Sequence, residues 1–277
     1  MSDDAIEIKQ KKYKSMDGIV SRTGGKSRLK RLIISLIPEH ERYVELFVGG
    51  GSVFFGKPAS KEEVVNDLDK DIYDIFRDTK QVGEMMKGRE FKPSKEKFWR
   101  LVRQKKFHSP QERLYRNLYV SKLSFSGSRL SYIGDKAATQ VRAERLSLPQ
   151  KWQDNRYKER LKDVKIENKD FKDVIRKYDG AKTFFYLDPP YSRADKNKDY
   201  IVTGVTIEDV YNALKNIKGK FLLSYDNVPE AKKIFKNYNI IKVPTKHASG
   251  KGGQTLERCE LLIANYPITR PGKGCSV

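Results

Sequence analysis

Cysteine and histidine are scarce in this chain. Its 277 residues hold two cysteines, Cys259 and Cys275, and three scattered histidines, His40, His108 and His247. Two cysteines make no disulfide framework, which points to a reducing compartment, and none of these five residues has zinc-ligand spacing, so no metal is expected. No apolar run nears the roughly 18 residues that a membrane span needs, and no signal-peptide pattern is present. The expectation is a soluble, cytoplasmic protein with no membrane partner. Acidic residues are the other shortage: 36 Asp and Glu face 57 Lys and Arg, for a net charge of +21 and a pI near 9.7. Such an imbalance says little about fold and much about partners, and a polyanion is the obvious one. Hydrophobic residues at 38% suffice for a core and exclude global disorder.

Apolar periodicity sets the organisation. The first dozen residues are polar and read as a loose arm. "LKRLIISLI" (29–37) has helical spacing and stops at Pro38, and "RYVELFVGGG" (42–51) reads as a buried strand ending in glycines. "SVFFG" after it reads as the first turn of a helix. "EEVVNDLDKDIYDIFRD" gives a strand to Asn66-Asp67, then a helix with Ile72, Ile75 and Phe76 on one face. Further strands are expected at "TFFYL", "KFLLSYDN" and "CELLIANY", with helices at "IEDVYNALKN" and "PEAKKIFKN" between them. This is an open α/β sheet. Residues 81–160 interrupt it with 20 Lys and Arg against 8 Asp and Glu, a net of +12 interleaved with aromatic and small polar residues. The simplest organisation is an α/β domain over 1–80 and 161–277, with a small, mostly helical basic insertion at 81–160.

Gly49, Gly50 and Gly51 end the first strand, where glycine lets backbone turn sharply and approach a ligand. The third position of a G-x-G-x-x-G fingerprint is Phe54, which disfavours a nicotinamide site. Asp67, at the end of the next strand, stands where an acid accepts hydrogen bonds from both hydroxyls of a ribose. "RTGGKSR" (22–28) is not a P-loop, because Val20 occupies the position of its first glycine. A basic glycine-rich turn there can instead close over a ligand held by the strand ends.

"TFFYLDPPYSR" (183–193) is a core strand that ends on an acid, two prolines and a tyrosine. Asp188 falls at the C-terminal end of that strand, where open α/β sheets bind ligands. The prolines fix the backbone and lack N–H groups, so the carbonyls before them are left to accept hydrogen bonds. A carboxylate oxygen beside a backbone carbonyl suits an amino group with two hydrogens. Tyr191 adds a face on which a planar base can stack, worth about 1–3 kcal/mol. The pattern is built to hold an exocyclic amine on a heterocycle.

"FVGGGSVF", "NDLD" and "YLDPPY", in that order, closely resemble the Dam-type adenine-N6 DNA methyltransferases of the α group. "TGGK" before the first strand and "KDF" (169–171) before the catalytic one resemble further cofactor segments of that family. The resemblance covers about 20–80 and 160–266, and it implies a Rossmann-like S-adenosylmethionine-dependent methyltransferase fold. It implies a cofactor, S-adenosylmethionine, over Phe47, Gly49 and Gly51, with its ribose on Asp67 and its adenine near Asp170 and Phe171. Lys26 closes the methionine end. Asp188 and the Pro189 carbonyl accept from N6 of an adenine flipped out of double-stranded DNA, with Pro190 and Tyr191 completing the motif. The insertion takes the place of the family's target-recognition region, and "KLSFSGSRLSY" is its best DNA-facing loop. Arg116 and Lys122 are assigned to phosphates, Ser124, Ser126 and Tyr132 to base edges, and Arg129 to a guanine.

The insertion is shorter than in the GATC-methylating branch, and "SKLSFSG" stands where N-R-x-G-[FY]-N-G is expected, so GATC specificity is not carried over. The resemblance leaves room for a cognate restriction endonuclease, with the chain acting as a monomer or weak dimer. Three competing readings stand beside it. These are an RNA adenine methyltransferase, an N4-cytosine enzyme (where Ser is the commoner first letter of the motif), and a DNA binder without chemistry.

Overall fold

The structure is a computed structural model that describes residues 14–22, 24–82, 89, 91–124, 129, 131–133, 152, 155–190, 204–248 and 255–269; for 246–248 and 255–258 it describes the backbone alone. Strand β1 (Arg42–Glu45) pairs in parallel with β2 (Glu62–Asn66) on one side and β4 (Thr183–Leu187) on the other, so Val44 faces both Val64 and Phe185. All five residues of β4 are buried, as expected of a parallel strand covered on both faces. β3 (Lys165–Glu167) flanks β2, and β5 (Lys220–Asp226) flanks β4. Beyond β5 the antiparallel β7 (Thr255–Ala264) slots in before the edge strand β6 (Asn239–Ala248). The order is β3-β2-β1-β4-β5-β7-β6, with β7 alone reversed. After β3, at one edge, the chain returns to the centre to form β4 beside β1. That makes the C-terminal ends of β1 and β4 the switch point of the sheet, where a crevice opens.

Alternate residues of each strand serve two apolar layers. Val44, Val64, Phe185, Leu187, Phe221 and Leu223 face one way, toward α6 (Phe171–Tyr178), α7 (Ile207–Leu214) and α8 (Pro229–Ile234). Tyr43, Val65, Phe184 and Leu222 face the other, toward the N-terminal segment and α2 (Lys70–Val82), whose Ile72, Ile75 and Phe76 are buried as expected.

Helices of the basic insertion share that second layer. They are α3 (Lys95–Arg103) and α4 (Pro110–Leu123), followed by α5 (Arg156–Leu161). Ser94 and Ser109 cap the first two by accepting from the N–H groups of Lys97 and Glu112. Phe98, Leu114, Leu118, Tyr119 and Trp152 join one cluster with Phe55 and Phe76. The Trp152 indole donates to the Ile19 carbonyl (2.8 Å), and Tyr157 meets Phe55 edge-on at 4.8 Å. Ion pairs fix the same interface: Arg113 donates from Nε and Nη2 to Asp78 (2.7 and 2.8 Å), a carboxylate with no exposed surface. Arg77 Nε also donates to Asp78 Oδ1 (3.0 Å), so two guanidiniums share this buried carboxylate, and a buried charge persists only with such partners.

Three sequence expectations change. The helix expected over 29–37 is a 3₁₀ turn at Lys26–Arg28 followed by α1 (Lys30–Ser35). "SVFFG" forms turns rather than a helix: the Phe55 N–H reaches the Gly51 carbonyl (2.9 Å), but the Gly56 N–H turns back to the nearer Val53 carbonyl (3.0 Å). β6 had no counterpart in the periodicity. It carries Pro244, which an edge strand tolerates. Among the described residues no helix is long and apolar enough to cross a membrane.

Candidate active site

Glycine conformations shape one wall of the crevice. Gly49 and Gly51 hold left-handed backbone, with φ of 49° and 73°. A Cβ on Gly51 would lie 2.8 Å from the Phe55 ring, and one on Gly50 would lie 2.1 Å from the Val20 carbonyl oxygen. The N–H of Gly49 donates to Asp67 Oδ2 (2.8 Å), and that of Asp69 donates to Oδ1 (2.9 Å), which locks the acid to the glycine turn. Burial pushes the Asp67 carboxyl up to about 6 against these donors. Asn66 sutures the surroundings: its Nδ2 donates to the carbonyls of Leu46 and Lys169 (3.0 Å each), while its Oδ1 accepts from the Lys169 N–H. Asp170 caps α6 by accepting from the Lys172 N–H (2.8 Å). Phe171 behind it stands 5.3 Å from Phe47, ring centre to ring centre. Leu68, the large apolar side chain left exposed among the described residues (46%), lines this same crevice beside Asp67.

Across the switch point lies Asp188, at the end of β4. Lys26, only 4% exposed, donates from Nζ to Asp188 Oδ1 (2.6 Å) and to the Gly24 carbonyl (3.0 Å), with Glu260 Oε2 at 3.6 Å. Burying an ammonium demands such acceptors. Pro189 is buried and Pro190 lines the crevice; Tyr191 lies outside the described residues. Sequence reasoning missed Glu260, whose one signal is an acid inside the apolar run "CELLIANY". It also missed Glu45, the crevice-lining end of β1. Burial pushes the Glu45 carboxyl up to about 8, although it accepts a hydrogen bond from the Tyr43 hydroxyl (2.6 Å) and feels Lys57.

The expected cofactor residues Lys26, Phe47, Gly49, Asp67, Asp170 and Phe171 therefore line one crevice with Asp188, Pro189 and Pro190; Gly51 lies just behind it. The expected DNA residues diverge. Arg116 is inside: its guanidinium donates to Asp71 (2.5 Å), Asn117 (2.7 Å) and the Leu101 carbonyl (3.0 Å), which corrects its assignment to a phosphate. Tyr132 is buried 5.4 Å from the Phe98 ring. Ser124 is buried and donates to the Val120 carbonyl (2.7 Å), so in this structure neither reaches a base edge. Arg129 holds Asp69 (2.8 Å) and Asp71. Lys122 is half-buried, and Ser126 lies outside the described residues. A basic groove elsewhere on the insertion is lined by Arg89, Lys97, Arg100 and Arg103 around Tyr115.

The class of protein that the chain's relatives define is a methyltransferase. Residues 23–248 match the D12 class N6 adenine-specific DNA methyltransferases, and the chain belongs to that family. It is 27% identical to the "Type II methyltransferase M1.LlaDCHI" of Lactococcus lactis subsp. cremoris, over 94% of this chain and 99% of that one. To the "Type II methyltransferase M.MjaIII" of Methanocaldococcus jannaschii it is 26% identical, over 88% and 96% respectively. A solved precorrin-6y C5,15-methyltransferase from Geobacter metallireducens overlays with a TM-score of 0.38 and 8% identity, over 93% of this chain and 94% of that one, too loosely to bear on the site.

Glu45 makes a prediction about pH. Its folded value near 8 lies above the ordinary 4.5, so between those values the folded state holds the extra proton and stability falls as pH rises. Glu45→Gln keeps the acceptor for Tyr43 and removes this loss. Denaturation midpoints measured from pH 6 to 8, above the window of Asp67, should decline in the wild type and be flatter in the variant. The gap at pH 8 should amount to a few kcal/mol.

Proposed function

We propose that this enzyme binds S-adenosylmethionine in the crevice, extrudes an adenine from duplex DNA and methylates it at N6. The observation that carries the reading is the shared crevice, where the Gly49 turn and Asp67 face Asp188 across the switch point. The residues fit the cofactor. Leu68 exposes an apolar face beside Asp67, as a buried purine ring requires, and a side chain on Gly50 or Gly51 would collide with the wall. Phe47, Gly49, Gly51, Asp170 and Phe171 would hold the nucleoside, and Asp67 the ribose. When bound, the cofactor supplies a methyl group activated by a sulfonium.

The chain's own work is positioning. Asp188 and the Pro189 carbonyl accept the two N6 hydrogens, Pro190 stiffens the turn and Tyr191 stacks on the adenine. Lys26 departs from its expected duty at the methionine end, because it is engaged with Asp188. It orients that carboxylate before the substrate arrives. Extruding a base costs a few kcal/mol, and the 81–160 insertion offsets this by gripping DNA. The groove of Arg89, Lys97, Arg100 and Arg103 takes the phosphate role that Arg116 cannot fill, and Lys122 keeps the phosphate role expected of it. Lys97, Arg100 and Arg103 recur at helical spacing on one face of α3.

Asp188→Ala should lower methyl transfer to duplex DNA by at least about 10³-fold, a loss of some 4 kcal/mol in the barrier, while duplex affinity stays within about twofold. Retained transfer would refute the acceptor role. Replacing Lys97, Arg100 and Arg103 by Gln should flatten the plot of log affinity against log salt by up to about 0.9 for each phosphate no longer neutralised. An unchanged slope would move the DNA face elsewhere.

A further inference from the structure

Between the crevice and the insertion runs a row of five alternating charges: Arg22, Asp69, Arg129, Asp71 and Arg116. Asp69 Oδ2 accepts from Arg22 and from Arg129 Nη2 (2.8 Å). Asp71 Oδ2 accepts from Arg129 Nη1 and from Arg116 Nη1 (2.5 Å). One guanidinium thus spans two carboxylates, a bridge that its planar fork of donors makes and a lysine could not. Arg129 also carries left-handed backbone, φ 63°, the positive φ found among non-glycine residues described. A residue with a Cβ keeps that conformation where its surroundings impose it. The surroundings here are Asp69, Asp71 and the Ser124 hydroxyl oxygen, which accepts from the Arg129 N–H (3.1 Å). Burial pushes the Asp71 carboxyl up, but Arg129 and Arg116 outweigh it and hold it below its usual range.

The row is anchored at the crevice. Asp67 accepts from the Asp69 N–H, and Asp69 Oδ1 accepts from the Asp71 N–H (3.0 Å). Arg22 and Asp69 themselves line the crevice. A single turn, 67–71, therefore offers one carboxylate inward and two toward the insertion. At its far end the row reaches the carbonyls of Leu101 and Val102 in α3 through Arg116.

We infer that Asp71, together with Asp69, is a positioning residue that seats the insertion's Arg129 against the crevice and so couples cofactor binding to DNA binding. The inference rests on the function proposed above. A ligand engaging Asp67 restrains the 67–71 turn and with it the seat of Arg129; DNA engaging the Lys97, Arg100 and Arg103 face of α3 restrains Arg116, and through Asp71 the same turn, from the other side. Linkage then requires each ligand to tighten the other by the same factor.

The test is a pair of titrations on the full chain. S-adenosylhomocysteine affinity is measured with and without a short duplex carrying the site that the wild-type enzyme methylates, and duplex affinity with and without S-adenosylhomocysteine. The wild type should show reciprocal coupling on the order of 10-fold. Asp71→Asn keeps an acceptor for Arg116 and removes the charge on which Arg129 rests. It should bind S-adenosylhomocysteine alone as the wild type does, show coupling below about twofold, and raise KM for DNA with kcat nearly unchanged; Asp71→Glu should recover part of the coupling. Full coupling in Asp71→Asn overturns the inference. So does a wild type that binds both ligands independently, a result that needs no variant to fold. A wild type that binds neither ligand overturns the proposed function along with it.

Discussion

A buried lysine is the constraint on which this site depends. At 4% exposure Lys26 has almost no water to solvate its charge, and an ammonium in that position costs several kcal/mol unless acceptors surround it. The acceptors come from three places far apart in the chain: the Gly24 carbonyl in the turn before the first strand, Asp188 at the end of β4, and Glu260 in the reversed strand β7. Satisfying one cation pulls the N-terminal turn over the crevice, fixes the carboxylate of the D-P-P motif and gives β7 a reason to carry an acid in an apolar run. The two halves of the crevice meet around that charge.

The basic insertion divides its cations between two tasks. Arg113 and Arg116 face inward, where the acids of α2 meet them, and aromatic residues beside them enter the same core as the sheet. Arg89, Lys97, Arg100 and Arg103 are left on the outside around a concave surface. Net charge therefore overstates what is offered to a polyanion. Part of it is structural, and it braces the insertion rigidly against the helix that begins just after Asp67.

Much of the crevice was legible in the sequence. Strand periods placed Gly49, Asp67 and Asp188 at strand ends, and backbone geometry dictates what glycine, an acid and two prolines can do there. Direction was not legible in the insertion. A charged letter in a basic stretch does not say whether it points to water or inward, and Arg116, Ser124 and Tyr132 point inward. A signal existed: Asp71, Asp74 and Asp78 recur at helical spacing on α2, and acids that bury along a helix face need cations opposite. Lys26 was found by its motif but its acceptor was not, because the partner is 162 residues away and only the closed sheet brings the two together.

The proposed function turns on one crevice that joins a methyl-donor site to an acceptor for the amino group of adenine in DNA. Long-read, methylation-sensitive sequencing of DNA from cells expressing the wild-type chain, beside cells expressing Asp188→Ala, addresses it most directly. N6-methyladenine should be confined to one short motif in the first sample and absent from the second. Unmodified DNA from cells that contain the folded wild-type protein, or equal modification in both samples, would contradict it.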